Sequence, residues 1–385
     1  MTPDVATAEQ QLHAAATQMS GGLTDFGPQD YLPGLRVLLD SMLCDMQFSE
    51  IGRQFGMGSI AGTLAARLHT QNSWKQRPDY RKVEIRRPLV ITGIPRTGTT
   101  ALHKLLSMDP QFQGLEHWLT EAPQPRPPRE TWAAHPAFQA SVAGLDTFFR
   151  IMPEMRLAHD IVADEVDECL EVLRQDFVSN RFASGMHVPS YERWFRTQDE
   201  APSYRRFVDV LRLVGVDAPG QRWLLKNPGH VAQMECLLEV LPDACVIQTH
   251  RDPVRAIPSL CSTLHMARRM FEGDAARADA IGPREVEYWA TAMDTTARVR
   301  AKRSEQFHDV HHRDFHRDPM GVVRGIYERF DLRLSDEAAR GMQAWIDASP
   351  TTRHGEHRYR IEDYGITSDQ VRARFADYVE RHSIH

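Results

Sequence analysis

The stretch Gly93-Ile94-Pro95-Arg96-Thr97-Gly98-Thr99-Thr100 sets two glycines five positions apart and follows them with two hydroxyl residues. That is the spacing of a Walker A loop, G-x4-G-K-S/T. The glycines let successive backbone N–H groups turn inward, and a helix opening at the second glycine adds partial positive charge, so the stretch suits a phosphate-like anion. Thr99 stands where the lysine of such loops belongs, and Arg96 inside the loop supplies a cation instead. ATP hydrolysis is disfavoured, because that lysine normally reaches the outer phosphates. Taken alone, the stretch also fits an ordinary strand-to-helix turn.

A second group is Thr249-His250-Arg251-Asp252-Pro253, with Ser259 further on. Asp252 can cap a helix and Pro253 can occupy its first position. Arg251 at the strand end and Ser259 two helical turns on could then meet one phosphate dianion, for which a guanidinium fork is suited. The competing reading is a capped helix with its arginines in solvent. Lys226 ends Arg222-Trp223-Leu224-Leu225-Lys226, and Glu116 and His117 follow the first loop by about twenty residues. A carboxylate or an imidazole is what a proton acceptor requires.

These groups need elements to hold them. Leu89-Val90-Ile91-Thr92 reads as a buried strand entering the first loop, and Leu102, Leu105 and Leu106 mark the helix after it. Arg222–Lys226 and Ala244–Thr249 read as further strands, each followed by a helix, and Asp309–His312 as another. Strands alternating with helices of 10–15 residues predict a parallel sheet with crossover helices. Residues 1–85 read as a helical region, with Leu35, Leu38, Leu39 and Met42 on one face, and 86–385 as the α/β domain, probed by this pattern as one integrated unit. Within it, 115–220 exceeds what a crossover needs. It reads as a mostly helical insertion that binds an acceptor, carrying Trp118, Trp132, Phe148, Phe149 and Trp194 as pocket or core aromatics. Its acidic run Asp164, Glu165, Asp167 and Glu168 reads as the solvated face of a helix near 160–173.

Composition sets the outer limits. With 42% hydrophobic and 25% charged residues the chain of 385 residues is of ordinary globular type. A net charge of −6, from 46 basic against 52 acidic residues, argues against nucleic-acid binding driven by bulk charge. No apolar run approaches the roughly 18 residues of a membrane span. The first residues lack the basic and apolar regions of a secretory signal, so a cytoplasmic protein is expected. The five cysteines show no CxxC pair, and the histidines at 311, 312, 316, 354 and 357 have no H-E-x-x-H frame, so no metal site is expected.

Strand–PRTGTT–helix followed by strand–RDPxxAxxS–helix resembles the sulfotransferases that use 3′-phosphoadenosine-5′-phosphosulfate, nearest to the bacterial members and the tyrosylprotein branch. The likeness is direct over 88–118 and 222–262 and looser over 306–382. It implies a P-loop-like three-layer α/β fold with a central parallel sheet, and sulfuryl transfer to a hydroxyl or amine of a small-molecule or lipid acceptor without a metal. By position it implies that Arg96, Thr97, Gly98, Thr99 and Thr100 hold the 5′-phosphosulfate. Arg251 and Ser259 would hold the 3′-phosphate. Lys226 would stabilise charge at the transferring group, as would Arg96. Glu116 would be the general base, with His117 as its rival and His159 as another. His312 departs from the tyrosine usual near the nucleotide, and His357 and Arg358 could close over it. A kinase or an inactive nucleotide-binding scaffold stays the alternative, and a homo-oligomer stays open.

Overall fold

The computed structural model describes residues 4–158, 161–348 and 360–384. Five parallel strands form one sheet: β1 (Leu89–Gly93), β2 (Phe112–Gln113), β3 (Arg222–Lys226), β4 (Cys245–His250) and β5 (Phe307–His311), in the order β2-β3-β1-β4-β5. The register sets Ile91 beside Lys226 on one side and beside Ile247 on the other. β1 is buried along its whole length, as a strand covered on both faces must be. Its side chains alternate between two cores. Val90 joins Leu225, Val246, Trp118 and Phe207 on one face, while Leu89 and Ile91 join Leu105, Ile247, Val323 and Ile326 on the other.

The strands and caps expected from sequence are present within a residue or two. Asp252 accepts from Val254 N at 2.9 Å, with Pro253 opening the helix Pro253–Glu272. Asn227 accepts from Gly229 N at 2.9 Å, but what it opens is a single 3-10 turn, Pro228–Val231, before the helix Met234–Val240. β2 has only two residues and carried no legible alternation.

The helices α1 (Val5–Met19), α2 (Leu32–Asp45) and α3 (Glu50–Gln76) build a third core with Phe177, Phe182, Tyr191 and Phe271, away from the sheet. Arg67 of α3 is 1% exposed. It donates to the carbonyls of Phe26, Pro28 and Gln175 and pairs with Asp176 at 2.5 Å, which satisfies a charge that burial would otherwise penalise. This ties the N-terminal helices to the insertion.

The insertion is helical in most of its length, including α5 (His117–Glu121) and α6 (Pro136–Ile151) after α4 (Thr99–Leu106). One part departs from expectation. The acidic run is a non-helical strap with a turn at Ala163-Asp164 and a single bridge at Val166, and helix begins only at Leu170. His117 N donates to Glu165 O, Trp118 N to Ala163 O and Asp167 N to Leu115 O, so three backbone hydrogen bonds tie 163–167 to 115–118 in place of a helix. Trp118, Trp132 and Phe149 are core residues.

Candidate functional site

The loops after β1, β3 and β4 lie at one edge of the sheet, the carboxyl ends of its three central strands, where open parallel sheets hold ligands. Gly93 has φ +143°, and a Cβ there would lie 2.5 Å from Thr249 O, so the strand can leave toward the loop only as glycine. Arg96 takes a left-handed φ of 70°, a conformation that non-glycine residues hold at a cost and that recurs at ligand sites. Gly98, at φ +93°, is the N-cap of α4 and has no side chain to fill the mouth of the helix.

The loop and the second motif meet. Arg251 donates from a guanidinium nitrogen to Arg96 O at 2.9 Å, and Arg96 Nε donates to Ser259 Oγ at 3.2 Å. Thr97 is 1% exposed, and its hydroxyl bonds Ile94 O at 2.7 Å and Thr249 Oγ1 at 2.5 Å. The hydroxyl expected to face a phosphate therefore shapes the loop instead, and Thr99 is buried as well. What these two residues can offer an anion is backbone N–H. Thr100 is half-buried and faces Lys226, whose Nζ lies 3.5 Å from Thr100 Oγ1.

Lys226 is 1% exposed and pairs with Glu168 Oε1 at 2.6 Å. Glu116 has a different partner. Its Oε2 accepts from Arg126 Nε at 3.1 Å, and Arg126 also bonds Gln113 Oε1 and Gly114 O. His117 lies between Asp167, 2.6 Å from Nδ1, and Glu121, 3.5 Å from Nε2. Burial opposes its charge, but the hydrogen bonds to Asp167 and Glu121 outweigh that and push it up to about 10. An imidazolium with a carboxylate at each nitrogen has no lone pair to offer a proton. The structure thus brings Arg96, Thr97, Gly98, Thr99, Thr100, Arg251, Ser259 and Lys226 together, and it directs Glu116 and His117 to other partners. His159, His357 and Arg358 lie outside the described residues.

Two groups carried little signal in the sequence. Glu168 was read as part of a solvated face. Its run instead meets four bases, Asp164 with Arg129, Glu165 with Lys104, Asp167 with His117 and Glu168 with Lys226. Four carboxylates within five residues were the available clue. His312 is the second. Its Cδ2 would lie 3.4 Å from a Cβ on Gly98, and its Nε2 lies 3.0 Å from that of His316. Burial, with help from the charge of Arg251, pushes it down to about 3, so it stands beside the loop as a neutral ring.

His250, Asp309 and His382 also cluster, but Asp309 is already bonded by both Arg300 nitrogens, at 2.5 and 2.6 Å, and by His250 Nε2 at 2.7 Å. The cluster fastens the C-terminal helix Ala376–Arg381 to the end of β4.

The model of the sulfotransferase family matches residues 88–336. The crystal structure of sulfotransferase STF1 from Mycobacterium tuberculosis H37Rv superposes with a TM-score of 0.85 at 39% identity, over 96% of this chain and 98% of that one. Sulfotransferase STF9 from Mycobacterium avium superposes with a TM-score of 0.85 at 28% identity, over 98% and 97%. Among curated proteins, the omega-hydroxy-beta-dihydromenaquinone-9 sulfotransferases Stf3 of Mycobacterium bovis and Mycobacterium tuberculosis are 26% identical over 258 residues, 64% of this chain. The match spans 63% of the length of those relatives.

Proposed function

The chain belongs to the sulfotransferase family, a transferase on an α/β fold, and on that premise we propose that it moves a sulfuryl group from 3′-phosphoadenosine-5′-phosphosulfate to a hydroxyl of a lipid-like acceptor. The donor assignment rests on one observation: Arg251 and Ser259 both converge on Arg96 of the phosphate loop. Two anion-binding elements joined in this way suit a nucleotide with phosphate groups at both its 3′ and 5′ positions. Backbone N–H groups of Thr97, Gly98, Thr99 and Thr100 receive the 5′ side, and Arg251 and Ser259 the 3′ side.

Sulfuryl transfer, like phosphoryl transfer, asks for positioning and for stabilisation of charge on the bridging oxygen. Arg96 and Lys226 are the cations for that task, and Lys226 is held against the first turn of α4. Thr99 in the lysine position disfavours a kinase. Glu116 is the proton acceptor that the likeness to the tyrosylprotein branch nominates.

The acceptor class draws on two supports. The Stf3 relatives, by their names, act on a hydroxylated dihydromenaquinone. In this chain, Ile161, Val162 and Val166 put apolar surface beside Thr100 and Lys226, in a small cavity that Lys104, Glu165 and Asp167 also line. The test is transfer of radiolabelled sulfur from the donor to a panel of isoprenoid alcohols. Labelled lipid with release of 3′-phosphoadenosine-5′-phosphate is the expected result. No label in any alcohol, together with no binding of that nucleotide, would overturn the reading.

A further inference from the structure

We propose that Glu168 is the carboxylate that takes the acceptor's proton, in place of Glu116, and that Lys226 holds it until the donor binds. The proposal rests on the sulfuryl-transfer reading. Lys226 lies at the end of β3, 3.5 Å from Thr100 of the loop helix and 2.6 Å from Glu168. The backbone fixes this pairing, because Cys169 N donates to Lys226 O at 2.9 Å and Glu168 N to Asp167 Oδ1 at 2.7 Å. The side chain of Glu168 is 17% exposed while that of Lys226 is 1% exposed, so the carboxylate is the partner that an incoming molecule can reach.

The Glu116 carboxylate already has a different partner, Arg126. Arg126, which holds its carboxylate, also holds Gln113, and the Gln113 amide donates to the carbonyls of Ala218 and Gln221, before the start of β3. His117 has both nitrogens committed to carboxylates.

The chemistry balances. The acceptor oxygen forms a bond to sulfur as the bond from sulfur to the 5′-phosphate oxygen breaks. The electron pair of the broken bond stays on that oxygen, where Arg96 and Lys226 offset its charge. The hydroxyl proton passes to Glu168, which becomes a neutral acid. When the ammonium of Lys226 turns from Glu168 toward the sulfuryl oxygens, the carboxylate loses a donor and gains a free lone pair. One residue thereby couples arrival of the donor to readiness of the base.

Two measurements on the full chain test this. The first is binding, which needs no acceptor. Glu168→Gln removes a competitor for the ammonium, so the sulfated donor should bind about 3- to 10-fold tighter, with the desulfated nucleotide nearly unchanged. Equal or weaker donor binding overturns the hand-over. The second compares an aliphatic isoprenoid alcohol with 4-nitrophenol, which is ionised without help. Glu168→Gln should lower transfer to the alcohol by about 10²–10⁴-fold and to the phenol by less than about tenfold. An equal loss on both acceptors would make Glu168 a positioning residue for Lys226 and overturn the proposal, as would a larger loss in Glu116→Gln. Failure of the wild-type chain to bind either nucleotide would instead refute the donor assignment.

Discussion

Arg251 reaches across 155 positions of sequence to donate to the carbonyl of Arg96 at 2.9 Å. The bond joins the end of β4 to the middle of the loop after β1, and it uses a carbonyl that a left-handed φ of 70° has turned toward it. The strained residue and the strand-end arginine fix each other. Neither motif in the sequence predicts this alone, because each is compatible with a common turn or a common helix cap.

The first consequence concerns nucleotide choice. 3′-phosphoadenosine-5′-phosphate should bind about 30- to 1000-fold more tightly than 5′-AMP, the equivalent of about 2–4 kcal/mol of charge-assisted contact. Arg251→Ala should remove most of that preference. Titration calorimetry giving equal affinities for the two nucleotides would refute the role of Arg251 and Ser259.

Metal dependence is a second point. If Arg96 and Lys226 supply the positive charge at the transferring group, as proposed above, turnover should persist in excess EDTA at more than about half its rate. An absolute need for added Mg²⁺ would mean that the cations of the loop and β3 are insufficient, and would favour the chemistry of kinases.

The imidazole of His117 makes a third prediction, about stability. Its ordinary value is 6.5, and its two carboxylate partners push it up to about 10 in the folded chain. A raised value stabilises the fold fully below pH 6.5, and that contribution is lost as pH rises through 10. Wild type should therefore exceed His117→Gln most at low pH, with the gap narrowing by on the order of 2–4 kcal/mol toward pH 10. Denaturant melts showing a constant gap across that range would exclude a charged His117.

Gly93 gives the fourth. Gly93→Ala meets both a positive φ and a Cβ position 2.5 Å from Thr249 O. The change should cost about 2–4 kcal/mol of stability and disturb the loop that follows. A melting temperature within a degree of wild type would show that β1 and β4 can separate at no cost.

Much of the fold was legible because it is local. Leu89–Thr92 is a continuous apolar run, Asp252-Pro253 is a cap followed by the residue that starts a helix, and both kept those roles. The two-residue β2 was not legible, since a strand so short has no period. In the site, the loop and Arg251, Ser259 and Lys226 carried type and spacing. The acidic strap was misread for a physical reason. Asp164, Glu165, Asp167 and Glu168 fall at helical spacing, but their countercharges, Arg129, Lys104, His117 and Lys226, come from distant parts of the chain. Pairing across the fold overrode the local pattern.

The bases that meet that strap are progressively more buried, from Arg129 through Lys104 and His117 to Lys226. Asp164 and Arg129, at its outer end, are 33% and 60% exposed, whereas Glu168 and Lys226, at its inner end, are 17% and 1% exposed. Dissolved salt weakens exposed charge pairs and scarcely reaches buried ones. Rising ionic strength therefore weakens the outer charge pairs first, while the backbone hydrogen bonds to 115–118 still hold the segment. The inner pair beside Lys226 therefore keeps its strength at salt concentrations that have already weakened the rim.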